Sequence, residues 1–352
     1  MKNLVVLGGG YGGMKVISLL LDKLPENAKI TLIDRMSHHC LKTKFYSFAV
    51  GTVTAEQIQL PFPDHPKLTF LQGEVSRIDL DKCEVHLSDG KTVSYDDLVI
   101  GLGHEDNFRD VPGAAEYTYS IQTMEKAKKT NEALKRLPSG SIVSIVGAGL
   151  TGVELASELR ESRPDLKIKI YDRNANILPS FPKRLSTYVE NWFDNHGIDI
   201  NINANITRVE KNTLFVNDMP EHSDLIIWTA GIQPSKVVSD LDVEKDRQGR
   251  IIVTQYHNIP GNEHVYVVGD CASLPHSPSA QLAEGQGEQI AKVILSRWNN
   301  EPLPKEMPTI RLKGVIGALG KKSGFGMFDG RPVTGRVVRL LKSGILWLYK
   351  YH

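Results

Sequence analysis

The sequence predicts an α/β protein with two Rossmann-like dinucleotide-binding domains, the second inserted in the first, and a short C-terminal segment. Two observations support this prediction. A pattern of strand, glycine-rich turn, helix, strand and terminal acid occurs twice in the 352 residues, and the buried strand pattern HVYVVGDCA follows the second copy. The expected boundaries are 1–112 and 251–320 for the first domain, 113–250 for the second and 321–352 for the C-terminal segment.

The first copy is KNLVVLGGGYGGMKVISLLLDKL, in which Gly8, Gly10 and Gly13 occupy the three positions of G-x-G-x-x-G. The first glycine makes the tight turn, the second lets a pyrophosphate approach the backbone, and the third lets the helix pack close to the strand. The strand AKITLIDR then ends at Asp34, a position from which a carboxylate accepts hydrogen bonds from ribose hydroxyls.

The second copy is SGSIVSIVGAGLTGVELASELRE, with Gly147, Gly149 and Gly152, and its next strand ends at Asp172. Two complete copies make a chance match improbable, so the sequence predicts two bound dinucleotides. The obvious pair is a nicotinamide electron donor and a flavin acceptor.

Composition excludes several classes of function. The net charge of +1 gives no general attraction to nucleic acid. The cysteines Cys40, Cys83 and Cys271 are widely spaced and odd in number, which indicates a reducing compartment and argues against a disulfide framework or a metal site. The N-terminus enters a strand pattern at once and no apolar run is long enough to span a bilayer, so we expect a cytoplasmic protein.

The strand in HVYVVGDCA ends at Gly269 and Asp270. An acid beside a glycine at a strand end suits a ligand hydroxyl, and an ordinary acidic turn is the alternative.

Together these patterns resemble the two-dinucleotide flavoproteins, and among them most closely the type II NADH dehydrogenases (NADH:quinone oxidoreductases). The resemblance covers nearly the whole chain through VVLGGGYGG, LVIGLGH, IVGAGLTGVELASEL, IWTAGI, VYVVGDCA, AQLAEGQGE and LGKKSGFG. It implies that the first copy holds FAD, the second holds NAD(H), and Asp270 holds the ribityl chain of the flavin. The implied cofactor-binding residues are Gly8, Gly10, Gly13, Asp34, Gly103, Gly269, Asp270, Ala280 and Gln281, and, in the second domain, Gly147, Gly149, Gly152, Asp172 and Gly231.

Two catalytic candidates follow from the resemblance. It implies that Glu154, on the first turn of the second helix, lies near the nicotinamide; an acid simply favoured by the helix N-terminus is the alternative. Gln281 belongs to the pattern A-Q-x-A-x-Q, which in that family begins a helix lining the quinone tunnel. Disulfide reductases and sulfide:quinone oxidoreductases fit less well, because both need paired cysteines. His38 and His39 lie in a loop, where a surface or cofactor-packing role is more common than catalysis.

The helix around residues 280–298 departs from the family pattern at one position. Ala283, Gly287, Ile290, Ile294 and Trp298 form an apolar stripe, while Gln281, Gly285 and Glu288 lie opposite. Gly285 stands where the second glutamine belongs, so we expect a lost hydrogen-bond donor and open space beside Gln281. Gln286 is rotated by about 100° and does not simply replace it.

The C-terminal segment is cationic and aromatic, with Arg336, Arg339, Lys342 and Lys350 among Leu, Ile and Trp347. Such a helix can lie at a bilayer interface, at the inner face of the cell membrane, or pack on the protein itself or on a second subunit of a homodimer. The sequence thus predicts an FAD-dependent NADH dehydrogenase that reduces a quinone or another small acceptor. The alternatives are a soluble NAD(P)H:acceptor reductase and a flavin-bound regulatory or scaffold protein with little turnover.

Overall fold

The computed structural model describes the backbone of residues 2–351 and the side chains of residues 2–345. The chain divides into two compact units. Unit 1 comprises Met1–Cys40, Gln59–Glu105 and Gln233–Arg311, and unit 2 comprises Leu41–Ile58, Asp106–Ile232 and Leu312–His352. The segment Leu41–Ile58, which the sequence assigns to the first domain, is thus part of unit 2. There, Asn131 Nδ2 donates to Ala49 O over 3.1 Å.

The α-helices are, in chain order, α1 (Tyr11–Leu20), α2 (Phe45–Ala49), α3 (Ala55–Ile58), α4 (Ala114–Tyr117), α5 (Met124–Arg136), α6 (Leu150–Ser162), α7 (Lys183–Asn195), α8 (Lys236–Ser239), α9 (Ala280–Trp298) and α10 (Arg336–Tyr351).

The strands are β1 (Lys2–Leu7), β2 (Ala28–Asp34), β3 (His38–Cys40), β4 (Gln59–Pro61), β5 (Leu68–Gln72), β6 (Val75–Asp79), β7 (Glu84–Leu87), β8 (Thr92–Ser94), β9 (Asp97–Ile100), β10 (His104–Asp106), β11 (Ile142–Val146), β12 (Lys167–Tyr171), β13 (Ile198–Asn201), β14 (Ile206–Glu210), β15 (Thr213–Val216), β16 (Met219–His222), β17 (Leu225–Trp228), β18 (Ile232–Pro234), β19 (Ile251–Ile252), β20 (Asn258–Ile259), β21 (Asn262–Val267), β22 (Ala272–Ser273), β23 (Gly314–Leu319), β24 (Ser323–Phe328) and β25 (Arg331–Thr334).

Unit 1 is built on a sheet of six strands in the order β20-β21-β9-β1-β2-β5. Strands β21, β9, β1, β2 and β5 run parallel, and β20 pairs antiparallel at one edge. Apolar side chains fill both faces, and α1 packs beside α9 on one of them. Since the parallel strands end at the same edge, the loops after β1, β2, β9 and β21 lie together there.

Unit 2 contains a parallel sheet in the order β13-β12-β11-β17. Two antiparallel three-stranded sheets accompany it, β14-β15-β16 and β23-β24-β25. The predicted α/β fold with Rossmann-like parallel sheets is confirmed in both units. In the described part of the chain, no helix has the length and apolar character needed to cross a membrane.

Candidate functional site

The first glycine-rich turn joins β1 to α1 in unit 1. Gly8 has a φ of +94°, and a Cβ on Gly13 would collide with Gly8 O, so the packing of the turn itself requires glycine at both positions. Gly10 differs, because its backbone is extended, with φ −78° and ψ −175°. A Cβ there would meet no described atom within 4 Å beyond its own chain neighbours. Glycine at position 10 therefore leaves open space at the start of α1.

The second turn, between β11 and α6 in unit 2, repeats this arrangement. Gly147 has a φ of +107°, and a Cβ on Gly152 would collide with Gly147 O and lie 2.9 Å from Thr229 Oγ1. Gly149 has φ −74° and ψ −173°, and a Cβ on it would again meet no described atom within 4 Å. Both turns thus keep a glycine that the fold itself does not demand.

The open space in each turn suits a phosphate. Both helices begin without an acidic residue in the first turn and without a side-chain cap, so their N–H groups and positive dipole ends are not neutralised. Such a helix N-terminus binds anions. The residues present therefore fit the pyrophosphate of a dinucleotide in both units.

The two strand-end acids hold the turns in the same way. Asp34 accepts hydrogen bonds from the N–H groups of Gly9 (2.6 Å) and Met36 (2.7 Å). Asp172 accepts from the N–H groups of Ala148 (2.8 Å) and Asn174 (2.8 Å). Because a carboxylate has about four lone-pair sites, both acids retain acceptor capacity for ribose hydroxyls. Each acid thus holds the backbone of its turn, in addition to the role predicted for it in binding ribose hydroxyls.

His39 supports the first turn from the other side. Its ring is buried, and Nδ1–H donates to Gly9 O over 2.7 Å while the edge of Tyr11 packs against it. Burial lowers the pKa of His39, so the ring is neutral at neutral pH. The Gly9 peptide is therefore held through its N–H by Asp34 and through its C=O by His39. This is consistent with the cofactor-packing role considered from the sequence.

Asp270 lies at the sheet edge where β9 and β21 end. Gly103 and Gly269 precede the two polar residues there with φ values of +67° and +79°. His104 Nδ1–H donates to Asp270 Oδ2, and both side chains are partly buried. This carboxylate–imidazole pair lies just beyond the carboxyl ends of the parallel strands β9 and β21, the region in which α/β folds bind ligands. The pairing with His104 was not predicted from the sequence.

Helix α9 begins at Ala280 with Ser279 as its cap, whose Oγ accepts from Leu282 N over 3.2 Å. The predicted apolar stripe is confirmed, and its five residues are buried, namely Ala283, Gly287, Ile290, Ile294 and Trp298. A Cβ on Gly287 would lie 2.7 Å from Gly12 O, so that glycine allows α1 and α9 to pack closely. On the opposite face, Gln281 and Gly285 are half-buried and Glu288 is exposed.

The expectation of open space at Gly285 is wrong. A Cβ on Gly285 would lie 2.5 Å from Ile310 Cγ2, because the chain that follows α9 returns over this face of the helix. Ile310 thus occupies the volume that a glutamine side chain would need. The donor is absent, as the sequence indicates, but an apolar side chain takes its place.

Gln286 points away from that face, as its rotation along the helix predicts. It is fully buried, and its Oε1 accepts from Gly269 N over 2.9 Å. Gln286 therefore fixes the loop that carries Asp270 and does not replace the missing glutamine.

Glu154 lies in the second turn of α6, one turn later than the sequence analysis placed it. Its side chain is 7% exposed, and its carboxylate accepts from Lys342 Nζ on α10 and from Ala318 N, the latter over 2.7 Å. The alternative in which the acid simply favours the helix N-terminus is therefore wrong, since its partners come from β23 and α10. Ion pairs of this burial persist only with complete hydrogen bonding.

A second buried acid lies one turn further along α6. Glu158 accepts from Thr52 Oγ1, while the ring of Tyr46 lies beneath the Lys342 ammonium, 5.3 Å from its centroid. Burial, and next the charge of Glu154, raise the pKa of Tyr46 well above its ordinary value. Unit 2 thus holds a buried cluster of acids, an ammonium group and a neutral phenol.

Up to Ile345, where the described side chains end, the C-terminal helix α10 packs on the protein through one side. Val338 and Lys342 are buried, whereas the apolar side chains opposite are exposed, namely Val337, Leu340 (70%), Leu341 and Ile345. Their spacing places them on one face of the helix. Packing on the protein therefore accounts for one face of α10 and leaves an apolar face outward. The side chains of Trp347 and Lys350 lie outside the described residues.

Cys40, Cys83 and Cys271 are free thiols; Cys40 is half-buried, Cys83 exposed and Cys271 buried. Cys271 is fully buried with Sγ 3.3 Å from Val268 O, and burial raises its pKa to about 12. Among the residues that the structure describes, no cluster of three or more His, Cys, Asp or Glu side chains is arranged to hold a metal ion.

Comparison with known proteins gives concordant matches. Residues 2–287 match the model of the pyridine nucleotide-disulphide oxidoreductase family. The NADH dehydrogenase-like protein YutJ of Bacillus subtilis (strain 168) is 56% identical over 353 residues, covering 100% of this chain and 99% of YutJ. The type II NADH:quinone oxidoreductase of Staphylococcus aureus (strain NCTC 8325 / PS 47) is 28% identical over 98% of this chain and 94% of its own length. In fold, NDH2 from Plasmodium falciparum, solved with NADH, matches with a TM-score of 0.85 at 16% identity, over 100% of this chain and 96% of that one.

Proposed function

Because this chain belongs to the pyridine nucleotide-disulphide oxidoreductase family, we propose that it is an FAD-dependent NADH dehydrogenase that reduces a quinone or a similar small acceptor. The observation that carries this proposal is the pair of glycine turns, each open at its second glycine. Unit 1 would hold FAD on Gly10, Asp34 and Asp270, and unit 2 would hold NADH on Gly149 and Asp172. When bound, this pair of cofactors supplies hydride transfer from nicotinamide to flavin.

In this proposal, the residues of the chain bind and orient the two cofactors and take no chemical part in the hydride transfer. Hydride transfer between two rings needs alignment more than a protein acid or base. Asp34 and His39 fix the first turn through Gly9, and Gln286 fixes the loop carrying Asp270.

A second candidate function is a reductase for a soluble acceptor other than quinone. The missing glutamine favours it, since neither Gly285 nor Ile310 offers a side-chain hydrogen bond to a quinone oxygen. Reoxidation of the reduced flavin by a panel of short-chain quinones and soluble dyes separates the two functions. Rapid reoxidation by quinones supports the first, and reoxidation by dyes alone supports the second. A flavin that NADH does not reduce would leave only the regulatory or scaffold alternative.

NADH should be preferred over NADPH, because the Asp172 carboxylate accepts hydrogen bonds from ribose hydroxyls and repels the 2′-phosphate of NADPH. Arg173 follows Asp172 in sequence. Burial, and next the charge of Arg173, lower the pKa of Arg109, so two guanidinium groups lie near the Asp172 carboxylate. Loss of a charge-assisted hydrogen bond costs about 1.5 to 3 kcal/mol. Asp172→Ala should therefore weaken NADH binding roughly 10- to 100-fold and narrow the preference over NADPH. The measurement is kcat/KM with both nucleotides. Equal values in the unmodified protein would contradict this prediction.

The outward apolar face of α10 supports the proposal that the protein attaches peripherally to a membrane surface. The exposed Arg336 adjoins Val337, Leu340 and Leu341, a composition that favours the interface of an anionic bilayer. Arg339 instead donates from Nε to Gly320 O on the protein itself. A second copy of the chain is the other occupant that such a face accepts. Deletion of the whole helix is not a clean test, because it also removes Lys342 from the buried Glu154.

Replacing Val337 and Leu340 by Ser should release the protein from anionic phospholipid vesicles while FAD stays bound. The reason is that each large apolar side chain contributes about 1.5 to 3 kcal/mol when fully buried in an apolar phase. Co-sedimentation at increasing salt measures the effect, since each basic residue adds about 1 kcal/mol of screened attraction. Met219→Ser, which removes an exposed apolar side chain elsewhere in unit 2, is the matched control. Unchanged sedimentation with a lost dimer would instead identify the face as a subunit interface.

A further inference from the structure

The chain that follows α9 returns to that helix and meets it at Gly285, on the same face as Gln281. We call residues 303–310 the strap. Leu303 and Met307 pack against the core of unit 1, and Ile310, at its end, meets Gly285. The contact is close, since a Cβ on Gly285 would lie 2.5 Å from Ile310 Cγ2. Gly285 and Ile310 are therefore sterically matched, because the missing side chain on the helix makes room for the one on the strap.

Three side chains hold the strap in place by donating to its backbone carbonyl groups, and a fourth, His257, holds one of the three. Tyr256 Oη donates to Pro304 O over 2.8 Å, and Gln255 Nε2 donates to Lys305 O over 3.1 Å. Gln289 Nε2 donates to Pro308 O over 2.5 Å, two residues before Ile310. Gln289 is itself buried and accepts from His257 Nε2–H over 2.7 Å. Burial lowers the pKa of His257, so this imidazole remains a neutral donor. The position of Ile310 is thus set by a hydrogen-bonded network.

This arrangement changes what the Gln281 face can recognise. An amide at position 285 would offer a hydrogen bond to an acceptor oxygen, whereas the Ile310 side chain offers only apolar surface. If a bound ring placed polar substituents against Ile310, those substituents would lose their hydrating water and gain no hydrogen-bond partner. This loss disfavours binding of such a ring. A ring whose far edge is hydrocarbon would lose nothing there. The pair Gly285 and Ile310 therefore discriminates between quinones by the polarity of the ring edge.

We propose that Ile310 is the residue that determines acceptor specificity, selecting quinones with a fused hydrocarbon ring over benzoquinones with oxygen substituents on the ring. This rests on the proposed function, with the acceptor placed at the Gln281 face as the resemblance implies. Gln281 supplies the polar contact to the ring, and Ile310 supplies the apolar wall.

The test measures reoxidation of the FAD-loaded full chain by two probes, 2-methyl-1,4-naphthoquinone and 2,3-dimethoxy-5-methyl-1,4-benzoquinone. The flavin is first reduced with dithionite, so that the measurement does not depend on NADH. The variants are Ile310→Gln, which returns an amide to this face, Ile310→Ala, which removes the wall, and Ile310→Val, which keeps it. Met307→Ala removes an apolar side chain from the same strap away from Gly285 and serves as the control.

The unmodified protein should favour the naphthoquinone, with the preference expressed in KM more than in kcat. Ile310→Gln should reduce the preference by about 10-fold, in line with what a polar contact contributes to discrimination. Ile310→Ala should reduce it less, and Ile310→Val and Met307→Ala should leave it unchanged. If the folded Ile310→Gln and Ile310→Ala proteins both kept the naphthoquinone-to-benzoquinone preference of the unmodified protein, the proposal would be overturned. Failure of NADH to reduce the flavin, with the dithionite results as expected, would count against the proposed function alone.

Discussion

Gly149→Ala is expected to abolish most NADH binding while leaving the fold intact. The backbone at Gly149 is extended, and a methyl group there meets no described atom within 4 Å, so the protein accommodates it. The methyl group would instead occupy the space where a pyrophosphate approaches the N-terminus of α6. Losing contacts of a charged phosphate costs about 1.5 to 3 kcal/mol or more, which weakens NADH binding at least about 10-fold.

The neighbouring glycines provide the controls for this variant. Gly10→Ala should act in the same way on unit 1 and yield protein that folds but retains little FAD. Gly152→Ala should instead lower stability, because its Cβ collides with Gly147 O whether or not a ligand is bound. Titration calorimetry with NADH, flavin content and thermal unfolding distinguish these effects. A Gly149→Ala protein that binds NADH with an unchanged Kd would show that the second turn is not a phosphate site.

Lys342→Met should destabilise unit 2 strongly. The substitution leaves the carboxylate of Glu154 buried without its ammonium partner, and breaking a buried ion pair in this way costs about 3 to 5 kcal/mol. Among the described residues, the Ala318 N–H then remains as the hydrogen-bond donor to this carboxylate. Unfolding in urea measures the loss. The same substitution at Lys292, whose pair with Glu288 is exposed on α9, should cost no more than about 1 kcal/mol.

The double variant Glu154→Gln with Lys342→Met tests the cause. It removes both charges and should recover much of the stability, since an uncharged amide tolerates burial better than an unpaired carboxylate. Equal stability of the Lys342→Met and unmodified proteins would mean that the pair contributes nothing to holding α10.

The two turns were predictable because their information is local. Gly8 and Gly13 pack against one another within a few residues, and Asp34 reaches back to the Gly9 amide from the adjacent parallel strand. The alternation of strand and helix patterns therefore sufficed to predict both the turn and its acid. The apolar stripe of α9 was predictable for the same reason, since helical periodicity alone identifies its buried face.

The partners brought together by tertiary structure were not predictable. Glu154 and Lys342 are 188 positions apart, and His104 and Asp270 are 166 apart. Ile310 lies in a segment without helical or strand periodicity, so nothing in the sequence relates it to Gly285. The hydrogen bonds that place the strap decide that contact. For this reason, the missing glutamine was predicted correctly and the space it leaves was not.

The most direct test of the proposed NADH dehydrogenase activity is anaerobic mixing of the FAD-loaded protein with an equimolar amount of NADH. The visible absorbance of the flavin should bleach completely, and addition of a short-chain quinone should restore it. NADPH at the same concentration should bleach it more slowly. A flavin that stays oxidised at saturating NADH, in protein that binds both cofactors, would contradict the proposal that this chain transfers hydride between them.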